Sequence, residues 1–349
     1  MPVRIPQATE LIRVPGTHIL EKGQSLIDPD IAIERIGNSK NPKILVFTGL
    51  SPSAHIASNK YDQSPGWWEF MVGHGKPVDT DQFEVICVNS LGSCFGSTGP
   101  ASIDPADGKV YGEAFPVITI NDIANLAGKA LDRNGIEEIF CVIGPSMGGM
   151  TALAWLLNHP DRTRHMINIS SALEAEPFAI ALRSLQREIA GLEYKNSFQL
   201  ARKLGLISYR SAEEWRKRFG RESNQAGFTI DSYLDKNARK FCKVFDPICF
   251  NRLSRTMDEF SIPEKYDDPV KEFSRTGLQS ALLIGVSSDT LFPMHQQRAL
   301  AGVLRDAGVK VDYQEITSPY GHDSFLVDKK NFTTTIRFYL SGLSREISE

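Results

Sequence analysis

The stretch Gly144-Pro145-Ser146-Met147-Gly148-Gly149-Met150 constrains this chain more than any other. The apolar run Ile139 to Ile143 leads into it, and a helical pattern from Thr151 to Leu157 leads out. A strand that turns sharply into a helix around a serine is a nucleophile elbow. Such a turn tolerates no bulk beside the serine, a condition Gly144 and Gly148 meet, and it lifts the hydroxyl off the end of a sheet toward a helix N-terminus. Ser146 is therefore the candidate nucleophile.

Further apolar runs at Ile31 to Ile33, Ile44 to Phe47, Phe83 to Val88 and Met166 to Ile169 read as strands, the later ones continuous enough to be covered on both faces. Helical patterns lie between them, notably Asn121 to Asn134 and Met147 to His159, each closed by Gly or Pro. This alternation predicts an α/β fold with a mostly parallel central sheet flanked by helices. From about Glu174 to Lys271 the character changes to an arginine-dense segment with helical spacing and no convincing strand. Strand signals return at Ala281 to Val286 and Val311 to Ile316, with a helix from Met294 to Ala307 between them. The chain thus divides into one core domain, residues 1–173 and 272–349, interrupted by a helical lid insertion, residues 174–271.

Composition narrows the substrate class. Lys+Arg 39 against Asp+Glu 42 leaves a net charge of -3, so no global field draws the molecule to nucleic acid or an anionic membrane, and a small-molecule substrate is expected. The five cysteines are odd in number and mostly sit in apolar runs, which fits reduced thiols in the cytoplasm. The first residues carry no apolar signal region, and no run approaches ~18 apolar residues, so neither secretion nor membrane spanning is expected. The histidines and cysteines show no metal-ligand spacing such as C-x-x-C or H-E-x-x-H, so no metal and no bound cofactor is expected.

In a nucleophile-elbow protein the acid and then the histidine follow the serine, on loops after later strands. Asp289 lies in Ser287 to Pro293 after the strand ending at Val286, and His322 lies in Thr317 to Asp323 after the strand ending at Ile316. Asp289 is placed to orient His322, and His322 to act on Ser146 as general base. Asp289 has a competing role as a cap for the next helix. Among the other histidines the nearest competitor is His55, in the loop after the first buried strand. That loop conventionally supplies half an oxyanion hole, so the backbone N–H groups of Leu50 and Met147 are the candidate donors, each worth roughly 3 kcal/mol of barrier.

These residues resemble the homoserine O-acetyltransferase family of α/β-hydrolase-fold acyltransferases, from about Pro42 to the C-terminus. The resemblance is carried by Asn89 to Pro100, the elbow Gly144 to Met150, Asp289 to Pro293, and Ser318 to Asp323. It implies that Ser146 takes an acyl group from acyl-CoA, a co-substrate, and that an amino-acid hydroxyl then removes it. It also implies that Asp323 contacts the substrate amine and Arg202 its carboxylate. Related enzymes are dimers, commonly through lid helices, so a homodimer is expected.

The family's serine O-succinyltransferases are the most similar members, at Arg183 and in Leu50 to His55 and Ser64 to Glu69. Succinyl differs from acetyl by a carboxylate that is costly to bury without a cation, and Arg183, with Arg187 one turn on, is the candidate cation. A competing use for both arginines is pairing with Glu174, Glu176 or Glu188. Serine and homoserine differ by one methylene, about 0.8 kcal/mol of burial, so fit must separate them; Pro52, Ser53, Ala54 and His55 are the candidate specificity loop. L-serine O-succinyltransferase activity toward cysteine synthesis is the leading expectation. Homoserine O-acetyltransferase or O-succinyltransferase activity in methionine synthesis is the alternative, and a simple serine hydrolase without an amino-acid clamp is a further one.

Overall fold

The computed structural model describes residues 5–225 and 227–348. Eight strands form the central sheet: β1 (Glu10–Arg13), β2 (Asp30–Ile36), β3 (Lys43–Phe47), β4 (Glu84–Val88), β5 (Ile139–Pro145), β6 (Thr163–Ile169), β7 (Ser280–Val286) and β8 (Lys310–Ile316). Their spatial order is β1-β2-β4-β3-β5-β6-β7-β8. β1 and β2 pair antiparallel at one side, and β3 to β8 run parallel.

The strand interiors alternate between two cores. Leu45, Phe47, Val142, Met166 and Leu283 face one core cluster, whereas Ile44, Val46, Ile143, Ile167 and Ile284 face the other. Two-residue periodicity in continuously apolar strands thus fills both faces, and each fully buried aliphatic side chain contributes roughly 1.5–3 kcal/mol. The first core receives α1 (Ile120–Arg133), α2 (Met147–Asn158) and a later helix, Met294–Asp306. The second receives Trp68 and Met71 together with Phe332, Ile336 and Leu340 of the C-terminal helix Lys329–Ser348. Thr119 and Asp122 start α1 with a reciprocal capping box.

Between β6 and β7 the chain forms α3 (Pro177–Ala190), α4 (Ser197–Ser208), α5 (Ala212–Phe219), α6 (Thr229–Cys242) and α7 (Pro247–Asp258), followed by the short helices Ile262–Lys265 and Pro269–Ser274. The expectation of no strand here is corrected by a small hairpin, Ser223–Asn224 with Gly227–Phe228. Its two-residue strands are too short to leave a periodic signal. β1 also went unforeseen, because Leu11 is exposed and only four residues pair. No helix among the described residues is long and apolar enough to cross a membrane. Because β3 to β8 point the same way, their carboxyl ends share one side of the sheet, where α/β folds place ligands.

Candidate active site

Ser146 follows β5 at φ 57° and ψ -125°, a strained conformation for a residue with a side chain. The flanking glycines let that turn pack. A Cβ on Gly144 would stand 2.1 Å from the Gly148 carbonyl oxygen, and one on Gly148 would stand 2.2 Å from that of Phe47. Met147 is the first residue of α2, where backbone N–H groups lack an intrahelical carbonyl. Leu50, in the loop after β3, lines one cleft with Ser146, and the Met147 amide adjoins Ser146 in sequence.

A continuous hydrogen-bond chain links three distant parts of the sequence. His322 Nε2 lies 2.8 Å from Ser146 Oγ, and Nδ1 lies 2.7 Å from Asp289 Oδ2. Asp289 plays both roles foreseen for it: Oδ1 accepts the Leu291 and Phe292 N–H groups at 2.9 and 3.0 Å, while Oδ2 holds the imidazole. The Phe292 ring stacks on His322 at 5.2 Å, and all three polar side chains are buried. Burial favours a neutral imidazole, but the charge and hydrogen bond of Asp289, helped by Asp323, outweigh it and raise the His322 pKa above its ordinary value. Arg183 pulls it the other way.

The cleft, about 770 Å³ including its mouth, is lined by Ser146, His322, Leu50, Pro52, Arg183 and Asp323 among others. Arg183 on α3 is buried and donates from Nε to Asp258 at the end of α7, not to the nearby glutamates considered from sequence. Arg187 pairs with the same carboxylate, Nη1 to Oδ2 at 2.7 Å. Two guanidinium groups thus share one anion, and Arg183 Nη2 is buried without a hydrogen bond. Such a donor suits an anionic group entering the cleft.

Two sequence expectations need correction. Of the four loop residues, Pro52 lines the cleft, steadied by Asn89 Nδ2 donating to its carbonyl at 3.0 Å. Ser53 instead accepts the His55 N–H, Ala54 is buried in the protein, and His55 turns into a buried pair with Glu34 at 3.0 Å. His55 Nε2 donates to the Ser64 carbonyl at 2.8 Å, so both ring nitrogens are engaged away from the substrate. Arg202 does not line the cleft either. Its guanidinium sits over the Phe241 ring at 3.9 Å and the Tyr209 ring at 5.4 Å, with Tyr209 between it and the cavity.

Sequence reasoning missed Arg210, whose Nε donates to Asp323 Oδ2 at 2.9 Å, and Asp258. The Ser211-x-x-Glu214 start of α5, with Ser211 accepting the Glu214 N–H, was a readable signal that the chain turns beside Arg210. Nothing local marks Asp258. Trp67 and Phe250 also line the cleft, whereas Phe245 is fully buried. The Thr151 hydroxyl bonds back to the Met147 carbonyl at 3.0 Å.

Comparison with known proteins places this geometry. Residues 43–329 match the model of the alpha/beta hydrolase fold family. A serine O-succinyltransferase from Litchfieldella anticariensis is 44% identical, covering 97% of this chain and 100% of the relative. The chain belongs to the homoserine O-acetyltransferase family of α/β-hydrolase-fold acyltransferases. Among other members of this family, an L-serine/homoserine O-acetyltransferase from Streptomyces lavendulae is 42% identical over 97% of this chain and 98% of its own length. In fold alone, the chain is similar to a homoserine O-acetyltransferase from Bacillus anthracis, with TM-score 0.83, 22% identity, and coverage of 95% of this chain and 97% of the other.

Proposed function

We propose that this chain is an L-serine O-succinyltransferase, transferring succinyl from succinyl-CoA to the serine hydroxyl by way of a succinyl-Ser146 ester. His322 Nε2 takes the Ser146 proton as Oγ attacks the thioester carbonyl, and the Leu50 and Met147 amides receive the oxyanion. Collapse breaks the C–S bond, and the proton held by His322 leaves with the CoA thiol. The acceptor hydroxyl then gives its proton to His322 and attacks the ester carbonyl, releasing O-succinyl-L-serine and restoring Ser146. Asp289 orients the imidazole throughout. Asp323 receives the acceptor ammonium.

The observation that carries the donor assignment is the buried, unbonded Nη2 of Arg183 in the wall of the cleft that holds Ser146. The serine O-succinyltransferases at 43–44% identity support the same choice. Homoserine or acetyl-CoA use is the alternative, favoured by the acetyltransferase from Streptomyces lavendulae. Steady-state rates for serine and homoserine crossed with succinyl-CoA and acetyl-CoA decide between them. A preference for acetyl-CoA would overturn the donor assignment. A hydrolase would turn over small esters with no gain from either amino acid.

The core of residues 1–173 and 272–349 supplies the triad, and the lid of residues 174–271 supplies Arg183. Exposed Phe178 and Leu185 on α3, and Leu200 and Ile207 on α4, support a homodimer formed through the lid. Five free cysteines, four of them buried, support a reducing cytoplasmic setting. The chemistry needs no metal or bound cofactor.

A further inference from the structure

The turn between α4 and α5 lies directly on the loop that carries His322. The Asp323 N–H donates to the Tyr209 carbonyl at 3.3 Å, and Ser211 Oγ donates to the Pro319 carbonyl. Gly321, at φ +60°, makes the approach possible: a Cβ there would stand 2.6 Å from the Tyr209 carbonyl oxygen and 3.0 Å from Arg210 Cα. Arg210 is the polar centre of this contact. Its Nε donates to Asp323 Oδ2 at 2.9 Å and its Nη1 to Glu214 Oε1 at 3.2 Å. Glu214 is buried and Arg210 nearly so, which makes the ion pairs stronger than surface ones. No hydrogen bond from the described residues reaches Asp323 Oδ1, and Asp323 lines the cleft beside His322.

From this geometry we infer that Arg210 is the positioning residue of acceptor capture, holding Asp323 by one oxygen so that the other faces the ammonium of the incoming amino acid. The inference rests on the acceptor role proposed for Asp323. Two carboxylates, Asp289 and Asp323, act on the same imidazole. Without Arg210 to fix it, the Asp323 side chain is free to rotate toward that imidazole and away from the acceptor. The first acyl transfer needs no ammonium site. Loss of Arg210 therefore acts on the second transfer, where water competes with the amino acid for the succinyl-enzyme.

The test uses the full chain with Arg210→Met, Arg210→Lys, Glu214→Gln and Asp323→Asn. Release of CoA before acceptor is added measures the first transfer, and the ratio of O-succinylserine to free succinate measures capture. Arg210→Met should keep the CoA burst within about twofold, raise KM for L-serine about 30-fold, and shift the product ratio toward succinate. Arg210→Lys should recover part of that ratio, since it returns a charge without the fork. Glu214→Gln gives the same split, more weakly, and serves if Arg210→Met does not fold. A parallel fall in burst and capture with an unchanged product ratio would reduce Arg210 to a structural strut and overturn the inference. Should Asp323→Asn leave serine use intact, the acceptor role of Asp323 fails instead. Should Asp323→Asn abolish capture while both Arg210 variants retain it, Arg210 alone is refuted.

Discussion

Replacing Arg183 with methionine removes the cation proposed to meet the distal carboxylate of succinyl-CoA while leaving the fold a way to compensate. Asp258 would keep Arg187 at 2.7 Å, so the substitution does not strand a buried anion. What disappears, besides the Nε bond to Asp258, is the Nη2 donor, which no group among the described residues uses. A charge-assisted hydrogen bond is worth roughly 1.5–3 kcal/mol, and leaving a buried charge without its partner costs roughly 3–5 kcal/mol. Part of the cleft remains open to solvent, so about 2–4 kcal/mol is expected, a loss of roughly 30- to 1,000-fold in kcat/KM for succinyl-CoA. Acetyl-CoA, lacking the carboxylate, should change less than about threefold. Arg183 also depresses the His322 pKa, so its removal moves the acid limb of activity to higher pH for both donors. Release of the CoA thiol should therefore be followed on the alkaline plateau, where only the donor-specific loss remains. Equal losses for the two thioesters there would refute a donor role for Arg183.

The remaining predictions concern charge around buried histidines. Asp289→Asn should lower kcat by about 10³–10⁴-fold, and its acid limb should move to lower pH because the chief influence raising the His322 pKa is gone; rate profiles between pH 5 and 9 check both. An unmoved limb would mean that a group other than His322 is titrating. Burial raises the Glu34 carboxyl to about 7, and His55 is raised too: burial lowers it, but the Ser64 carbonyl and Glu34 outweigh that. The pair binds protons more tightly folded than unfolded. Its stabilisation is complete below the unfolded Glu value of 4.5 and is lost as pH rises through about 7, with an upper bound of roughly 3 kcal/mol from Glu34. Thermal midpoints should fall across this window, and Glu34→Gln should flatten the decline. A slope unchanged in Glu34→Gln would assign it to other groups.

The parts of this molecule legible in the sequence are those whose physics is local. Continuous apolar runs placed β3 to β7, because a strand covered on both faces has no alternative composition, whereas β8 is an edge strand with polar residues among its apolar ones. The hydrogen-bond chain from Ser146 through His322 to Asp289 was foreseeable from chain order and loop position. Pairings across the lid were not. Arg183 and Asp258 stand 75 positions apart on different helices, and glutamates nearer in sequence looked equally able to bind the arginine. Arg210 and Asp323 are separated by 113 positions, so among the lid's many arginines Arg202 carried the resemblance while Arg210 carried the contact. His55 shows the opposite difficulty. Its loop was rightly located beside the cleft, but only Glu34, on the antiparallel strand β2, reveals which way the ring points.

The position of the lid has a consequence for how such a chain diversifies. β6 and β7 are parallel neighbours, so the chain must in any case cross from the end of one to the start of the other, and the length of that crossing is unconstrained by the sheet. The nucleophile, the base and the acid all sit on connections elsewhere, whereas Arg183, Arg187 and Asp258 all arrive through this one excursion. Recruitment of a different thioester can therefore proceed by rewriting α3 and α7 within this single passage, provided the α4–α5 turn that seats the His322 loop is kept.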